Sequence, residues 1–171
     1  MAIAIPPTLR TTELGVVGAG QLNAETCQKI MDLHKDSQNT YREGRIQEEI
    51  SFKTNKVIRD VNVWVIHEDH SWLDTLLVEA AVEANGQLGF DLSGIIERPQ
   101  LLEYKSLSHG YDWHLDIGNG DSSTRKISIS IALNSDDEYE GGELCMFARG
   151  ETSIKLTQGL IAAFPSFMPH R

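Results

Sequence analysis

The sequence is short of cysteine, of basic residues and of long apolar runs, and each shortage narrows what the chain can be. Only Cys27 and Cys145 occur in 171 residues. Two isolated thiols do not make the disulfide framework of a small secreted domain, so they read as reduced cysteines in a cytoplasmic setting. Lysine and arginine number 15 against 25 aspartates and glutamates, a formal net charge of −10. So negative a balance argues against a phosphate backbone as partner, and no nucleic acid is expected. The opening MAIAIPPTLR is too short in its apolar part, and too interrupted by Pro6 and Pro7, to be a signal peptide. No run approaches bilayer-spanning length, so no membrane partner is expected either. Residues 13–21 (ELGVVGAGQ) are rich in glycine but lack the Lys-Ser/Thr of a phosphate loop, and they read as a short strand and turn.

A content of 40% hydrophobic and 23% charged residues suffices for a real core, and the length fits one domain over residues 1–171. Asn23 can cap a helix running to about Lys35, with Cys27, Ile30, Met31 and His34 at helical spacing on one face. Residues 36–55 are polar, without sustained periodicity, and read as a long loop. Residues 57–66 alternate β-branched and other residues, the pattern of a strand. The following His67-Glu68-Asp69-His70 cannot converge on one ion from consecutive turn positions, and Ser71 with Asp74 suggests a capping box. A helix then runs from Trp72 to about Asn85, with Gly86 suited to its C-terminal cap.

Beyond residue 94 the chain reads as short strands and polar turns. Gln100, Leu102 and Tyr104 share one strand face. In RKISISIALN, residues 125–134, Ile127, Ile129, Ile131 and Leu133 face one way and Ser128, Ser130 and Ala132 the other. In a barrel flanked by helices the branched set would pack outward, while the small set would leave room inside for a ligand. Further strands are expected over 143–147, 153–156 and 160–164.

The chemistry-bearing stretch is QLLEYKSLSHGYDWHLD, residues 100–116. Side chains two apart on a strand share a face, so His114 and Asp116 can reach one metal ion. His170, in FPSFMPH, can supply a third ligand. Two histidines and a carboxylate on one face of an ion make the facial arrangement of non-haem Fe(II) oxygenases, with the opposite face open.

The order of these motifs is a tyrosine-bearing strand, a Gly-Tyr loop, H-x-D, an alternating strand, a Gly-Gly strand, and Phe-Pro-Ser before the last histidine. In this order the sequence resembles the 2-oxoglutarate- and Fe(II)-dependent dioxygenases of the prolyl 4-hydroxylase-like group over roughly its C-terminal half. The resemblance implies a mainly β, α+β fold: a double-stranded β-helix (jelly-roll) barrel with helical support over about 1–97 and its core over about 98–171. It implies a hydroxylase acting on an amino-acid side chain, with a prolyl residue of a peptide or protein the leading substrate. Fe(II) would be held by His114, Asp116 and His170, with 2-oxoglutarate as cosubstrate and L-ascorbate as a possible auxiliary reductant.

Tyr104 aligns with the tyrosine that bonds the cosubstrate, Tyr111 with one lining the metal pocket, and Arg125 with an arginine of the substrate cleft. On composition alone Tyr104 could be a wall residue and Arg125 a solvated strand start. His109 reads as a surface residue, and Asn134, Gly141 and Gly142 as turn residues. The family places a basic residue on the strand after its distal histidine to pair with the far carboxylate of 2-oxoglutarate. Arg171 adjoins His170 and would point to the opposite face, and Lys105 and Lys126 are not obvious replacements. The expectation is therefore that the natural chain continues past Arg171 into a final strand. Two other readings stay open: a cupin-like metalloprotein that does not use 2-oxoglutarate, and a non-catalytic barrel binding module.

Overall fold

A computed structural model describes residues 15–48, 51–56, 58–105 and 110–171. The chain runs through β1 (Val17–Gln21), α1 (Ala24–Met31), β2 (Thr40–Glu43), β3 (Ile46–Glu48), β4 (Ser51–Lys53), β5 (Arg59–Asp60), β6 (Asn62–Val65) and α2 (Ser71–Leu88). It continues through β7 (Gln100–Glu103), β8 (Gly110–Tyr111), β9 (Ile127–Ile131), β10 (Leu144–Phe147), β11 (Glu151–Ile154) and β12 (Leu160–Pro165). The fold is mostly β with two α-helices, and every strand pair among the described residues is antiparallel.

Two sheets organise the core. In the first, ordered β1-β12-β9, Val17, Ala19, Ile161 and Ala163 pack against Ala80, Ala84 and Leu88 of α2, with Ile127, Ile129 and Ile131 alongside. Alanines on the helix let it lie close to the sheet, and the period-2 alternation of β9 sends its isoleucines to that side. The second sheet, β2-β6-β7, presents Trp64 and Leu101 to a cluster of Ile30, Leu33, Ile66 and Leu73, which ties it to both helices.

Close backbone approach fixes how the chain enters β12. Gly159 has φ +80°, its N–H donates to Ala132 O at 2.7 Å, and its carbonyl accepts from Leu22 N at 2.8 Å. A Cβ at that position would lie 2.0 Å from Leu22 O, so only glycine fits.

Four sequence expectations are corrected. Residues 36–55 are not one long loop: β2 pairs with β6 through Tyr41↔Trp64 and Arg42↔Val63, and β3 and β4 pair with each other. A four-residue strand held by pairing with a distant partner leaves little local periodicity, which is why the sequence reads as irregular. Gly86 lies inside α2; the helix is capped by Gly89 in the left-handed conformation (φ 71°), and the Asn85 side chain brackets Phe90 with bonds to its N–H and C=O. The Ser71/Asp74 capping box does not form, because Asp74 is engaged by Arg98 at 2.8 Å. His34 is exposed rather than on the buried face, and its ring meets Trp64 edge-on. Cys27 is buried and Cys145 half-buried, and both are free thiols. His109 lies outside the described residues. Among the described residues no helix is long and apolar enough to cross a membrane.

Candidate metal centre

The centre is assembled on a single antiparallel bridge. His114 and His170 exchange both backbone hydrogen bonds, at 3.0 and 3.1 Å, so their side chains stand next to each other on one face. Two residues on, the N–H groups of Asp116 and Ile117 both donate to Ser166 O, which holds the Asp116 backbone in step with the segment leaving β12. On its other side His170 bridges Met146 of β10. One ligand atom from each of His114, Asp116 and His170 lies within 4.8 Å of the others.

The two histidines are oriented by the same local device. His114 Nδ1 is 2.7 Å from Asp112 O, and His170 Nδ1 is 2.9 Å from Met168 O, in each case the carbonyl two residues back. A carbonyl can only accept, so each Nδ1 carries a proton, and Nε2 is left as the nitrogen that faces the site. Both Nε2 atoms face the carboxylate, at 3.5 Å from Asp116 Oδ1 and Oδ2 respectively. Imidazoles whose second nitrogen is anchored to a carbonyl are what a metal-ligating pair requires.

Rings hold the imidazoles in place. Tyr111 stacks on His114 with centroids 3.3 Å apart and planes 14° from parallel, and Phe164, buried at the end of β12, meets His170 at 4.7 Å. The side chains of His114 and His170 are 13% and 7% exposed and that of Asp116 28%, so solvent reaches the centre mainly at the carboxylate. Burial alone would raise the Asp116 carboxyl. The His114 contact, the charge of His170 and the Ser128 hydroxyl outweigh it and hold the group at about 2. Burial lowers the His170 imidazole against the opposing pull of Asp116, which favours the neutral, ligating form.

Of the remaining residues singled out in the sequence, Tyr111 is at the centre and Arg125 borders it. Arg125 Nη1 donates to Asp116 O, while Nε and Nη2 grip Glu97, so its guanidinium ties residue 97 to the site. Tyr104 is 46% exposed and makes no contact with the triad itself, yet its hydroxyl senses it. Burial raises the phenol, Arg59 opposes the rise, and the charges of Tyr111 and Asp116 add to it.

Sequence reasoning passed over three contributors. Ser128 Oγ donates to Asp116 Oδ2 and sits 3.0 Å from the fully buried Ser166 Oγ. The alternation of β9 had placed Ser128 on the inner face, which is the signal that could have identified it. Arg59, from β5, stands over Tyr111, and nothing local marks it.

The geometry therefore offers two imidazole nitrogens and a carboxylate, with an anchored outer layer, on one side of a half-open pocket. That donor set fits Fe(II). Residues 99–171 match the family model described as the 2OG-Fe(II) oxygenase superfamily. Over that stretch the chain is similar to that superfamily. A PKHD-type hydroxylase of Prochlorococcus marinus is 37% identical over 65 residues, covering 37% of this chain and 29% of that protein. A PKHD-type hydroxylase of Psychrobacter sp. is 29% identical over 141 residues, covering 77% of this chain and 52% of that protein. The chain thus spans less than two thirds of the length of these relatives. Among solved structures it is similar to a prolyl hydroxylase from Trichoplax adhaerens in complex with a hypoxia inducible factor oxygen degradation domain peptide fragment. The TM-score is 0.70 at 18% identity, over 92% of this chain and 76% of that one. A Pseudomonas putida prolyl-4-hydroxylase gives a TM-score of 0.64 at 21% identity, over 91% of this chain and 83% of that one. At these identities the likeness is one of fold.

Proposed function

We propose that this chain carries the catalytic core of a 2-oxoglutarate-dependent Fe(II) dioxygenase that hydroxylates an amino-acid side chain, with a prolyl residue in a peptide or protein as substrate. The observation that carries the reading is the pair of histidines, each with Nδ1 anchored to a carbonyl and Nε2 turned toward Asp116. His114, Asp116 and His170 would hold the iron. With 2-oxoglutarate and dioxygen as co-reactants, iron bound there would supply the oxidising power for hydroxylating a substrate C–H bond, one oxygen atom going to the product and the other to succinate, with loss of carbon dioxide.

The protein's own groups do the rest. Asp116 contributes the negative charge of the site, and Ser128 keeps one of its oxygens directed. Tyr104 offers a hydroxyl that stays protonated, because burial raises it, and so donates to an incoming carboxylate. Tyr111 walls one side of the pocket and fixes the His114 plane. Arg125 lines the substrate side by holding Glu97 against the Asp116 backbone. The architecture in this reading is a jelly-roll barrel supported by the N-terminal helices, in a single domain. A peptide substrate is supported by the bound peptide of the Trichoplax prolyl hydroxylase. The two free thiols support a cytoplasmic location, and L-ascorbate is included as the reductant that maintains ferrous iron.

The test is an anaerobic titration of 2-oxoglutarate into Fe(II)-loaded protein, read as the visible charge-transfer band of the chelate. The band should appear in the parent and be absent from His114→Ala. A folded, iron-loaded parent without the band would favour a cupin-like metalloprotein or a binding module instead.

A further inference from the structure

The chain carries ten more acidic than basic charges, yet Arg59, Arg42 and Arg45 lie near one another, and Arg59 reaches the ring of Tyr111 at the metal centre. Arg59 is the best defined. Its stem crosses the backbone of Gly44, where a Cβ would lie 3.0 Å from Arg59 Cγ and 2.6 Å from Val61 Cγ1. Its Nη1 donates to Arg45 O at 2.8 Å, and its guanidinium lies 4.6 Å from the centroid of Tyr111, the ring that stacks on His114. Its Nε is buried and has no hydrogen-bond partner. A buried donor left without an acceptor is destabilising, and an acceptor brought by a ligand would relieve it.

Arg42 stands close by, on β2 opposite Val63, and is half-buried. Burial, then the charges of Arg59 and Arg45, lower its guanidinium from the usual value, while Glu97 alone opposes. Like charges brought together under partial desolvation repel, and an anion between them would relieve the repulsion. Glu97 is already engaged elsewhere, since Arg125 Nε and Nη2 both donate to its Oε1. The arginine fork is suited to a carboxylate, and the Tyr111 ring places this fork one ring away from the metal ligand.

We infer that Arg59, with Arg42 beside it, forms a carboxylate-binding subsite for the substrate, and that the modified peptide carries an acidic residue close in sequence to the reacting one. An extended peptide advances roughly 3.5 Å per residue, so an acidic side chain one or two positions away reaches from the metal centre across Tyr111. The inference deepens the hydroxylase reading and rests on it for the word substrate, but binding tests it separately from turnover.

The experiment is calorimetric titration of two blocked peptides, identical except for Glu or Gln on both sides of a central proline, into parent, Arg59→Gln and Arg42→Gln proteins loaded with Mn(II). The parent should bind the Glu peptide about tenfold more tightly than the Gln peptide, as expected for one well-formed charge-assisted contact. Arg59→Gln should remove that preference and leave the Gln peptide unaffected, and Arg42→Gln should reduce it. Titrating 2-oxoglutarate into the same proteins distinguishes the source of the carboxylate. If Arg59→Gln weakens 2-oxoglutarate and spares the peptide preference, the subsite serves the cosubstrate and the inference is overturned. It is equally overturned if the parent shows no preference, or if Arg59→Gln weakens both peptides alike. Should the peptide preference appear in a protein that fails to chelate 2-oxoglutarate, the subsite stands and the hydroxylase reading falls.

Discussion

Replacing Ser128 with alanine removes one hydroxyl from the outer layer of the metal centre and leaves all three ligands in place. Ser128 Oγ donates to Asp116 Oδ2, and its other neighbour is Ser166 Oγ at 3.0 Å. A hydrogen bond to a charged group contributes about 1.5–3 kcal/mol. Because about 1.4 kcal/mol is a factor of ten, the change corresponds to roughly 10- to 100-fold weaker metal binding, the range seen when outer-shell partners of metal ligands are removed. The whole effect should fall on affinity for the ion, since the Asp116 backbone stays fixed by Ser166 O. Calorimetric titration of Mn(II) or Co(II) measures it directly. Ser130→Ala, one step further along the same face of β9, serves as the control and should bind metal like the parent. Ser166 is fully buried and loses its hydroxyl neighbour in the single variant, so Ser128→Ala/Ser166→Ala should recover part of any accompanying loss of stability. Metal affinity within twofold of the parent in a folded Ser128→Ala protein would refute the idea that this hydroxyl tunes the carboxylate.

Gly159→Ala should destabilise the fold by about 2 kcal/mol or more, since the side chain would need both a left-handed backbone and the space occupied by Leu22 O. A thermal midpoint within a degree of the parent would contradict the close approach. In the metal-free protein Asp116 is held at about 2, below the ~3.9 of an unfolded aspartate. A depressed carboxyl stabilises the folded state fully above the unfolded value and loses that contribution as pH falls through the folded one. The unfolding free energy of the parent, from urea titrations, should therefore drop between pH 5 and pH 2 by an amount on the order of 2 kcal/mol greater than that of Asp116→Asn. Parallel acid limbs for the two proteins would argue against the shift.

The parts of the site legible in the sequence are those whose spacing is itself the signal. His114 and Asp116 are two apart on an extended segment, and an interval of two commits them to one face. The isoleucines of β9 announce their own alternation in the same way, and the structure sets Ile127, Ile129 and Ile131 against the α2 cluster. What the sequence hid is long-range. Arg59 belongs to the site through Gly44, Arg45 and Tyr111, three partners whose nearness depends on sheet pairing and not on local pattern. The polar run over 36–55 concealed β2 because an edge strand exposes most of its side chains; Thr40, Tyr41 and Glu43 are all exposed. The end of α2 was misplaced by three residues, because two glycines compete for the cap and the Asn85 bracket around Phe90 decides between them.

The bridge between His114 and His170 also bears on how the protein reaches its working form. Two backbone hydrogen bonds join residues separated by most of the C-terminal half, and closing so long a loop is entropically costly before other contacts are in place. An ion gripping both histidines would act as a clasp across that loop, and its binding would stabilise the joined state increasingly as its concentration rises above its dissociation constant. Iron supply and the integrity of residues 166–171 would then be coupled. In hydrogen exchange, removing the ion should first loosen the amides of His114, Asp116 and His170 and leave those of β9 and α2 protected. The cell's iron status would be written into the lifetime of the fold as well as into its chemistry.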